Sequence, residues 1–122
     1  MKKLFFFAVI IAAITFESCS IFGKLTSSTT IEPQKSFVLG QGKHGSYNAK
    51  IKNSGKGDIE VIVVKNGGVA TSLGVLKPNE KGEYPVASNT EVRFKNLGSD
   101  TGEIQILLTG DTNLSMGYRE NK

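Results

Sequence analysis

The stretch TEVRFKN, from Thr90 to Asn96, decides the class of fold because its apolar and charged side chains alternate. Val92 and Phe94 are the apolar positions, and a charged side chain stands on either side of each of them. Successive side chains of a β-strand point to opposite faces. The pattern therefore predicts a strand with one face in a core and the other face in water.

The same alternation recurs in short runs from about Ile31 onward, and Gly, Asn, Asp and Pro separate the runs. The further runs are KSFVL (35–39), SYNAKIK (46–52), IEVIVVK (59–65), GVATSL (68–73), EYPV (83–86), GEIQILLTG (102–110) and LSMGY (114–118). No segment has the i, i+3, i+4, i+7 spacing of an amphipathic helix over three turns. The sequence therefore predicts an all-β fold: a small antiparallel two-sheet β-sandwich of 7 to 8 strands, with either immunoglobulin-like or jelly-roll topology.

Two local signals predict how some of these strands are connected and placed. The dipeptide Asn66-Gly67 tolerates the positive φ angles of a two-residue type I′ turn, which predicts a tight hairpin between the runs on either side of it. Pro85 has no backbone N–H to give to a neighbouring strand, so its strand is predicted to lie at the edge of a sheet.

Length and composition predict one domain that its apolar core alone holds together. The chain has 122 residues and one cysteine, so it cannot close an intrachain disulfide. A domain of this length buries enough surface to fold by itself. The formal net charge is only +4, and the basic residues are spread along the chain. This charge balance argues against a nucleic-acid partner.

The first residues have the layout of a signal peptide. Lys2 and Lys3 precede an apolar run from Leu4 to Phe16, and Glu17 ends that run with a charge. A transmembrane helix needs about 20 apolar residues, so this run is too short to cross a bilayer. The pattern predicts a targeting segment that is removed.

The next residues, Phe16-Glu17-Ser18-Cys19, resemble the lipobox of bacterial lipoproteins. Ser18 fits the small position before the cysteine, whereas Phe16 stands where the family usually has Leu, and Glu17 where it has a small or apolar residue. The resemblance implies that Cys19 carries a lipid with palmitate and anchors the mature chain in the cell envelope, at the outer membrane. Two alternatives stay open: cleavage after Ser20 would release a soluble secreted protein, and Cys19 could remain a free thiol.

The composition changes along the chain and predicts three parts. Residues 1–18 form the signal peptide, residues 19–30 the lipidated cysteine and a flexible tether, and residues 31–122 the β-sandwich domain. The tether is predicted from a Ser and Thr cluster between Thr26 and Thr30, which is typical of linkers.

The glycine-rich run GQGKHG, from Gly40 to Gly45, contains the only histidine, His44. It spells the G-x-G-x-x-G of dinucleotide-binding proteins, but that motif needs a helix after it, and the residues that follow alternate like a strand. The run is therefore predicted to be a loop between strands. Because no nucleophile, orienting group or further ligand accompanies His44, no catalytic residue, metal or cofactor is predicted.

Two charged strand faces are candidates for a ligand site. Lys50 and Lys52 share the polar side of one predicted strand, and Arg93 and Lys95 share that of another. If the sheet places these strands side by side, the four side chains form one basic face for anionic head groups or acidic polysaccharide. A solvated face that discourages edge pairing is the alternative.

Two strands are apolar on both sides and are candidates for contact with a partner. Ile62 and Val64 lie opposite the main apolar face of their run, and Leu107 does the same in its own run. Either a loop or the tether covers these side chains, or they form a patch that a partner protein covers.

These observations together predict a non-enzymatic lipoprotein of the cell envelope that acts as a binding or structural module. Its expected partners are the membrane, through the lipid anchor, and an envelope protein or polysaccharide. Two alternatives are an envelope enzyme or enzyme inhibitor that works through His44 and its loop, and a soluble secreted binder of anionic glycan.

Overall fold

The computed structural model describes residues 24–65 and 68–120, which form nine β-strands and no helix. The strands are β1 (Lys24–Ile31), β2 (Lys35–Leu39), β3 (Tyr47–Asn53), β4 (Ile59–Val64), β5 (Ala70–Leu76), β6 (Lys81–Val86), β7 (Glu91–Asn96), β8 (Gly102–Gly110) and β9 (Met116–Glu120). The predicted signal segment, Cys19 and the Asn66-Gly67 turn lie outside the described residues. Within the described ranges, the chain has no helix that is apolar and long enough to span a bilayer.

The chain folds as one long antiparallel hairpin that is wrapped into two layers. Strand β1 pairs with β8, β2 with β7, β3 with β6, and β4 with β5. Further pairs, β3 with β8 and β4 with β7, join these hairpins into a four-stranded sheet, β1-β8-β3-β6, and a five-stranded sheet, β5-β4-β7-β2-β9. This arrangement of two nested Greek keys is a jelly roll. The all-β two-sheet prediction is confirmed, and the jelly-roll topology is the one adopted.

The core lies between the two sheets and consists of inward-facing side chains from the alternating runs. Val92 and Phe94 have no exposed surface, and the ring of Phe94 stacks on that of Phe37 with centroids 6.3 Å apart. The other apolar side chains with no exposed surface are Ile31, Leu39, Ala49, Ile59, Val61, Ile104 and Leu108. Because burial of apolar surface is the main stabilising term in folding, this layer holds the sandwich together.

Strand β1 corrects the predicted tether. Residues 24–30 were assigned to a flexible linker, yet they pair with β8 along the whole of β1. Thr29 is buried, and its hydroxyl lies 3.4 Å from that of Ser27. Thr is β-branched and favours strands, and its hydroxyl can form a bond inside the sheet. The segment therefore forms a strand despite its polar composition. β1 is the one strand beyond the eight runs that the sequence predicted.

Two other local predictions are confirmed. Pro85 lies in β6, which is an edge strand of the four-stranded sheet. The run from Gly40 to Gly45 is a loop between β2 and β3, with Gly40 and Gly42 at positive φ. Glycine adopts this backbone conformation without the steric penalty of a side chain.

Two buried asparagines tie strand ends to the loops that cross between the sheets. The Nδ2 of Asn96 donates to the carbonyl oxygens of Ile31 and Asp100, each at 2.9 Å, and its Oδ1 accepts the N–H of Gly98 at 2.8 Å. Asn53, at the end of β3, makes the same set of three bonds to backbone groups. Buried polar groups need such partners, so both side chains act as braces.

The loops fall into two groups at the two ends of the sandwich. Strand β1 begins at Lys24, which pairs with Thr109 near the end of β8. We call this the proximal end; its loops are residues 40–46, 87–90 and 111–115, together with the described residues 65, 68 and 69 between β4 and β5. The loops of the opposite, distal end are residues 32–34, 54–58, 77–80 and 97–101.

Candidate functional site

The candidate site is a solvent-open groove of about 920 Å³ on the outer face of the four-stranded sheet. All four strands of that sheet contribute outward-facing side chains to it, because the opposite side of each strand packs in the core. These groove side chains are Thr26, Ser28, Lys50, Lys52, Lys81, Glu83, Gln105 and Leu107. The set combines hydroxyl, amide and ammonium groups with one carboxylate and one apolar side chain.

One row of the groove side chains crosses all four strands through Lys52. Lys52 pairs with Gln105 of β8 on one side and with Lys81 of β6 on the other. Gln105 pairs in turn with Ser28 of β1. Neighbouring strands lie about 4.8 Å apart, so this row is about 14 Å long. It presents hydrogen-bonding groups at one end and two positive charges at the other.

A second row runs beside the first and carries the apolar part of the groove. Leu107 is half-buried between Thr26 of β1 and Lys50 of β3. Lys50 pairs on its other side with Glu83, whose carboxylate accepts a hydrogen bond of 2.8 Å from the Asn48 side chain. Leu107 therefore forms a small apolar floor between a hydroxyl and an ammonium group.

The groove carries a net positive charge, because Glu83, opposite Lys50, is its one carboxylate. Lys52 and Lys81 stand directly opposite each other on adjacent strands, an arrangement of like charges that destabilises a sheet. Among residues 24–65 and 68–120, no carboxylate lies within 4.0 Å of the ammonium group of Lys50, Lys52 or Lys81. Three lysines thus face one glutamate, Glu83, in the groove lining.

The predicted single basic face is wrong, because its two halves lie on opposite sides of the sandwich. Lys50 and Lys52 belong to β3 of the four-stranded sheet, whereas Arg93 and Lys95 belong to β7 of the five-stranded sheet. The Arg93 guanidinium also forms an ion pair with the Glu91 carboxylate on its own strand. Two of the four predicted residues, Lys50 and Lys52, therefore line the groove, and the other two do not.

Lys81 is the residue that sequence reasoning missed. The sequence pattern predicted that the edge strand begins two residues later, at Glu83. Strand β6 begins at Lys81 itself. The signal was present in the alternation of Lys81, Glu83 and Pro85, which share the outer face, but only the pairing of β6 with β3 places Lys81 beside Lys52.

The predicted partner patch is also divided by the fold. Ile62 and Val64 are half-buried on the outer side of β4, in the five-stranded sheet, while Leu107 lies in the groove of the other sheet. No single surface can hold all three side chains. Strand β1, which was predicted to be part of the tether, lies beside Leu107 as a neighbouring strand.

His44 joins two loops at the proximal end. Its Nδ1 lies 2.6 Å from the carbonyl oxygen of Gly45, and its Nε2 lies 2.9 Å from that of Thr90. Its backbone N–H donates to Oδ1 of Asn89 at 2.9 Å. The ring also lies against that of Tyr47, whose phenol is buried and has no hydrogen-bond partner in the described part of the chain. This burial raises the pKa of Tyr47. His44 thus has a structural role in holding the loops together.

Asp111 completes this loop cluster with hydrogen bonds to the backbone. Its carboxylate accepts the N–H of Gly45 at 2.6 Å and the N–H of Asn113 at 3.0 Å. These bonds favour the charged form and lower the pKa of Asp111. Across residues 24–65 and 68–120, no three His, Cys, Asp or Glu side chains are gathered as a metal would require.

Comparison with known proteins supports the fold and leaves the function open. No family model and no curated protein matches the sequence. Among solved structures, the chain is similar to the mitogen derived from Yersinia pseudotuberculosis, with a TM-score of 0.51 and 17% sequence identity over 76% of this chain and 90% of that chain. At this identity, the similarity shows a shared β-rich fold and nothing about the ligand.

Proposed function

We propose that this protein is a non-enzymatic lipoprotein of the cell envelope, anchored through Cys19, whose jelly-roll domain binds an acidic polysaccharide in the groove. One observation carries the proposal: Lys50, Lys52 and Lys81 lie together in the groove, and none of them forms an ion pair with a carboxylate among the described residues. Like charges on adjacent strands destabilise a sheet, and an anionic ligand bound between them would remove this repulsion.

The chemistry of the groove suits a sugar chain that carries carboxylates. The hydroxyls of Thr26 and Ser28 and the amide of Gln105 can each donate and accept hydrogen bonds, as sugar hydroxyls also do. The lysines would pair with the carboxylates, and the apolar face of a sugar ring would rest on Leu107. An acidic polysaccharide uses all three kinds of group, whereas a neutral one leaves the lysines unpaired.

The environment of His44 supports the non-enzymatic part of the proposal. Both of its ring nitrogens face backbone carbonyl oxygens of the proximal loops, at 2.6 and 2.9 Å, so the ring contacts the protein's own backbone at the end of the sandwich. The groove lies on another surface of the domain, and none of its lining residues belongs to the His44 loop.

The anchor part of the proposal rests on the lipobox resemblance of Phe16-Glu17-Ser18-Cys19. Lipidation would hold the domain at the outer membrane, where polysaccharides are abundant. Replacing Cys19 with Ala should abolish processing and membrane retention, and unchanged membrane fractionation of the Cys19→Ala variant would contradict this part.

Binding of oligogalacturonate tests the ligand part. Calorimetry should detect binding of the oligomer to the mature protein and none of its methyl ester, which has the same rings without the charges. Raising the salt concentration from 0.05 to about 0.5 M should weaken binding, because exposed charges are screened over a few ångströms at high salt. Equal binding of the oligomer and its ester would show that the lysines do not select the ligand.

A further inference from the structure

We infer that the proximal end of the sandwich docks on the anionic surface of the membrane that holds the anchor, with Val69 entering the headgroup region. This inference rests on the proposed lipidation of Cys19 and adds an orientation that the anchor alone does not specify. It follows from the length of chain before β1, from the charge of the loops, and from the exposure of Val69.

The chain between the lipidated cysteine and the first strand is short. Strand β1 begins at Lys24, at the proximal end, five residues after Cys19. A fully extended chain spans at most about 3.6 Å per residue, so this segment covers no more than roughly 18 Å. A domain held this closely must keep its proximal end near the bilayer.

The proximal and distal ends of the sandwich differ in charge. The proximal loops contain Lys43 and Lys65, and the strand residues at this end add Lys24 of β1 and the ion-paired Glu91 and Arg93 of β7. The one carboxylate of the proximal loops, Asp111, is already bonded to two backbone N–H groups. The distal loops carry the opposite balance, with acidic residues outnumbering basic ones. Their charged residues are Glu32, Lys56, Asp58, Lys77, Glu80 and Asp100. The proximal loops are therefore the more positive of the two groups, so an anionic leaflet attracts the proximal end more strongly than the distal end.

The proximal end also exposes a large apolar side chain. Val69 is 68% exposed, the highest value among the large apolar side chains that the structure describes as exposed. It belongs to the same proximal loop as Lys65, whose backbone N–H donates to the Val69 carbonyl oxygen at 3.2 Å. An apolar side chain beside lysines is the combination that inserts at a membrane interface. The proximal surface, defined as Lys24, Lys43, Lys65 and Val69, therefore matches an anionic bilayer.

This orientation leaves the groove free for its ligand. The row through Lys52 and Ser28 lies four residues along β1 from Lys24. At about 3.3 Å per residue, the row stands roughly 13 Å from the start of the strand. The strands run away from the bilayer, so the groove faces sideways and remains accessible.

Fluorescence quenching tests the orientation, because the chain has no tryptophan. Val69→Trp places an indole at the proximal end, and Leu97→Trp is its matched control, since Leu97 is a 47% exposed apolar residue in a distal loop. The lipidated full-length products would be reconstituted in phosphatidylglycerol vesicles whose acyl chains carry bromine. We expect at least twofold stronger quenching of the Val69→Trp indole than of the Leu97→Trp indole.

Charge variants and a mass measurement complete the test. Lys43→Gln/Lys65→Gln in the Val69→Trp background should reduce the quenching, whereas the distal pair Lys56→Gln/Lys77→Gln should not. Equal quenching of both indoles, or none, overturns the orientation when the N-terminal peptide carries a lipid. If mass spectrometry finds no lipid on Cys19, the anchor proposal fails and the orientation falls with it. Polysaccharide binding is measured separately and is unaffected by either result.

Discussion

Lys52 of β3 stands directly opposite Lys81 of β6 on the outer face of the four-stranded sheet, and no carboxylate among the described residues forms an ion pair with either. Opposite charges at such a pair stabilise a sheet, and like charges destabilise it. The pair therefore reduces the stability of the free protein at a point where a ligand carboxylate would restore it.

The first prediction is that removing one lysine of this pair raises stability and weakens ligand binding. Lys81→Gln should raise the free energy of unfolding by roughly 0.5 kcal/mol, because it removes the like charge opposite Lys52. The same change should weaken oligogalacturonate binding several-fold. Urea denaturation and calorimetry measure the two effects. Lys95→Gln, on the outer face of the other sheet, is the control and should leave binding unchanged. Unaltered binding by Lys81→Gln would remove Lys81 from the site.

The second prediction concerns which of the two outer sheet faces with half-buried apolar side chains binds the ligand. Leu107→Ser should weaken oligogalacturonate binding, because the floor of the groove loses its apolar contact with the sugar ring. Ile62→Ser, on the opposite outer face, should leave binding unchanged. Both residues are half-buried, so circular dichroism must first show that each variant is folded. A larger loss of binding for Ile62→Ser would place the ligand on the five-stranded sheet.

The third prediction concerns the asparagine brace at the distal end. Asn96→Ala should lower the free energy of unfolding by about 3 kcal/mol, because it leaves the Ile31 and Asp100 carbonyls and the Gly98 N–H without their partner. Asn48→Ala is the matched control: Asn48 has one exposed bond to Glu83, and its loss should change stability by less than about 1 kcal/mol. Similar values for both variants in denaturant titration would contradict the role given to Asn96.

The fourth prediction concerns acid sensitivity of the proximal loops. The pKa of Asp111 is lowered in the folded chain, mainly by the hydrogen bond from the Gly45 N–H. Its contribution to stability is therefore complete above the ordinary value near 4 and is lost as the pH falls through the lower folded value. The difference in melting temperature between the protein and Asp111→Asn should be largest at neutral pH and should shrink as the pH falls through and below the ordinary value near 4. A constant difference would contradict the assignment.

The sequence predicted those parts of the fold that depend on local alternation. β3, β7 and β8 have inner apolar positions that recur every second residue, and these inner side chains are buried as expected. β1 escaped prediction because its inner positions include Ser27 and Thr29, whose polarity resembles that of a linker until they are paired. Strand formation there depends on β8, more than 70 residues away along the chain.

The candidate site was predictable only in part, for the same reason. The alternation placed Lys50 and Lys52 on an outer face, and the structure confirms that placement. It could not identify the neighbouring strands, because the pairing of β3 with β6 and β8 follows from the wrapping of the whole hairpin. The sequence pattern therefore could not separate Arg93 from the strand of Lys50 and Lys52, or place Lys81 beside it.

Chemical-shift mapping by nuclear magnetic resonance tests the central claim most directly. The mature protein, labelled with ¹⁵N in detergent micelles, would be titrated with oligogalacturonate. We predict that the side-chain amide of Gln105 and the backbone amides of Lys52 and Lys81 shift together, while those of Arg93 and His44 stay in place. Shifts confined to Arg93 and its sheet, or to the His44 loop, would contradict a ligand site in the groove.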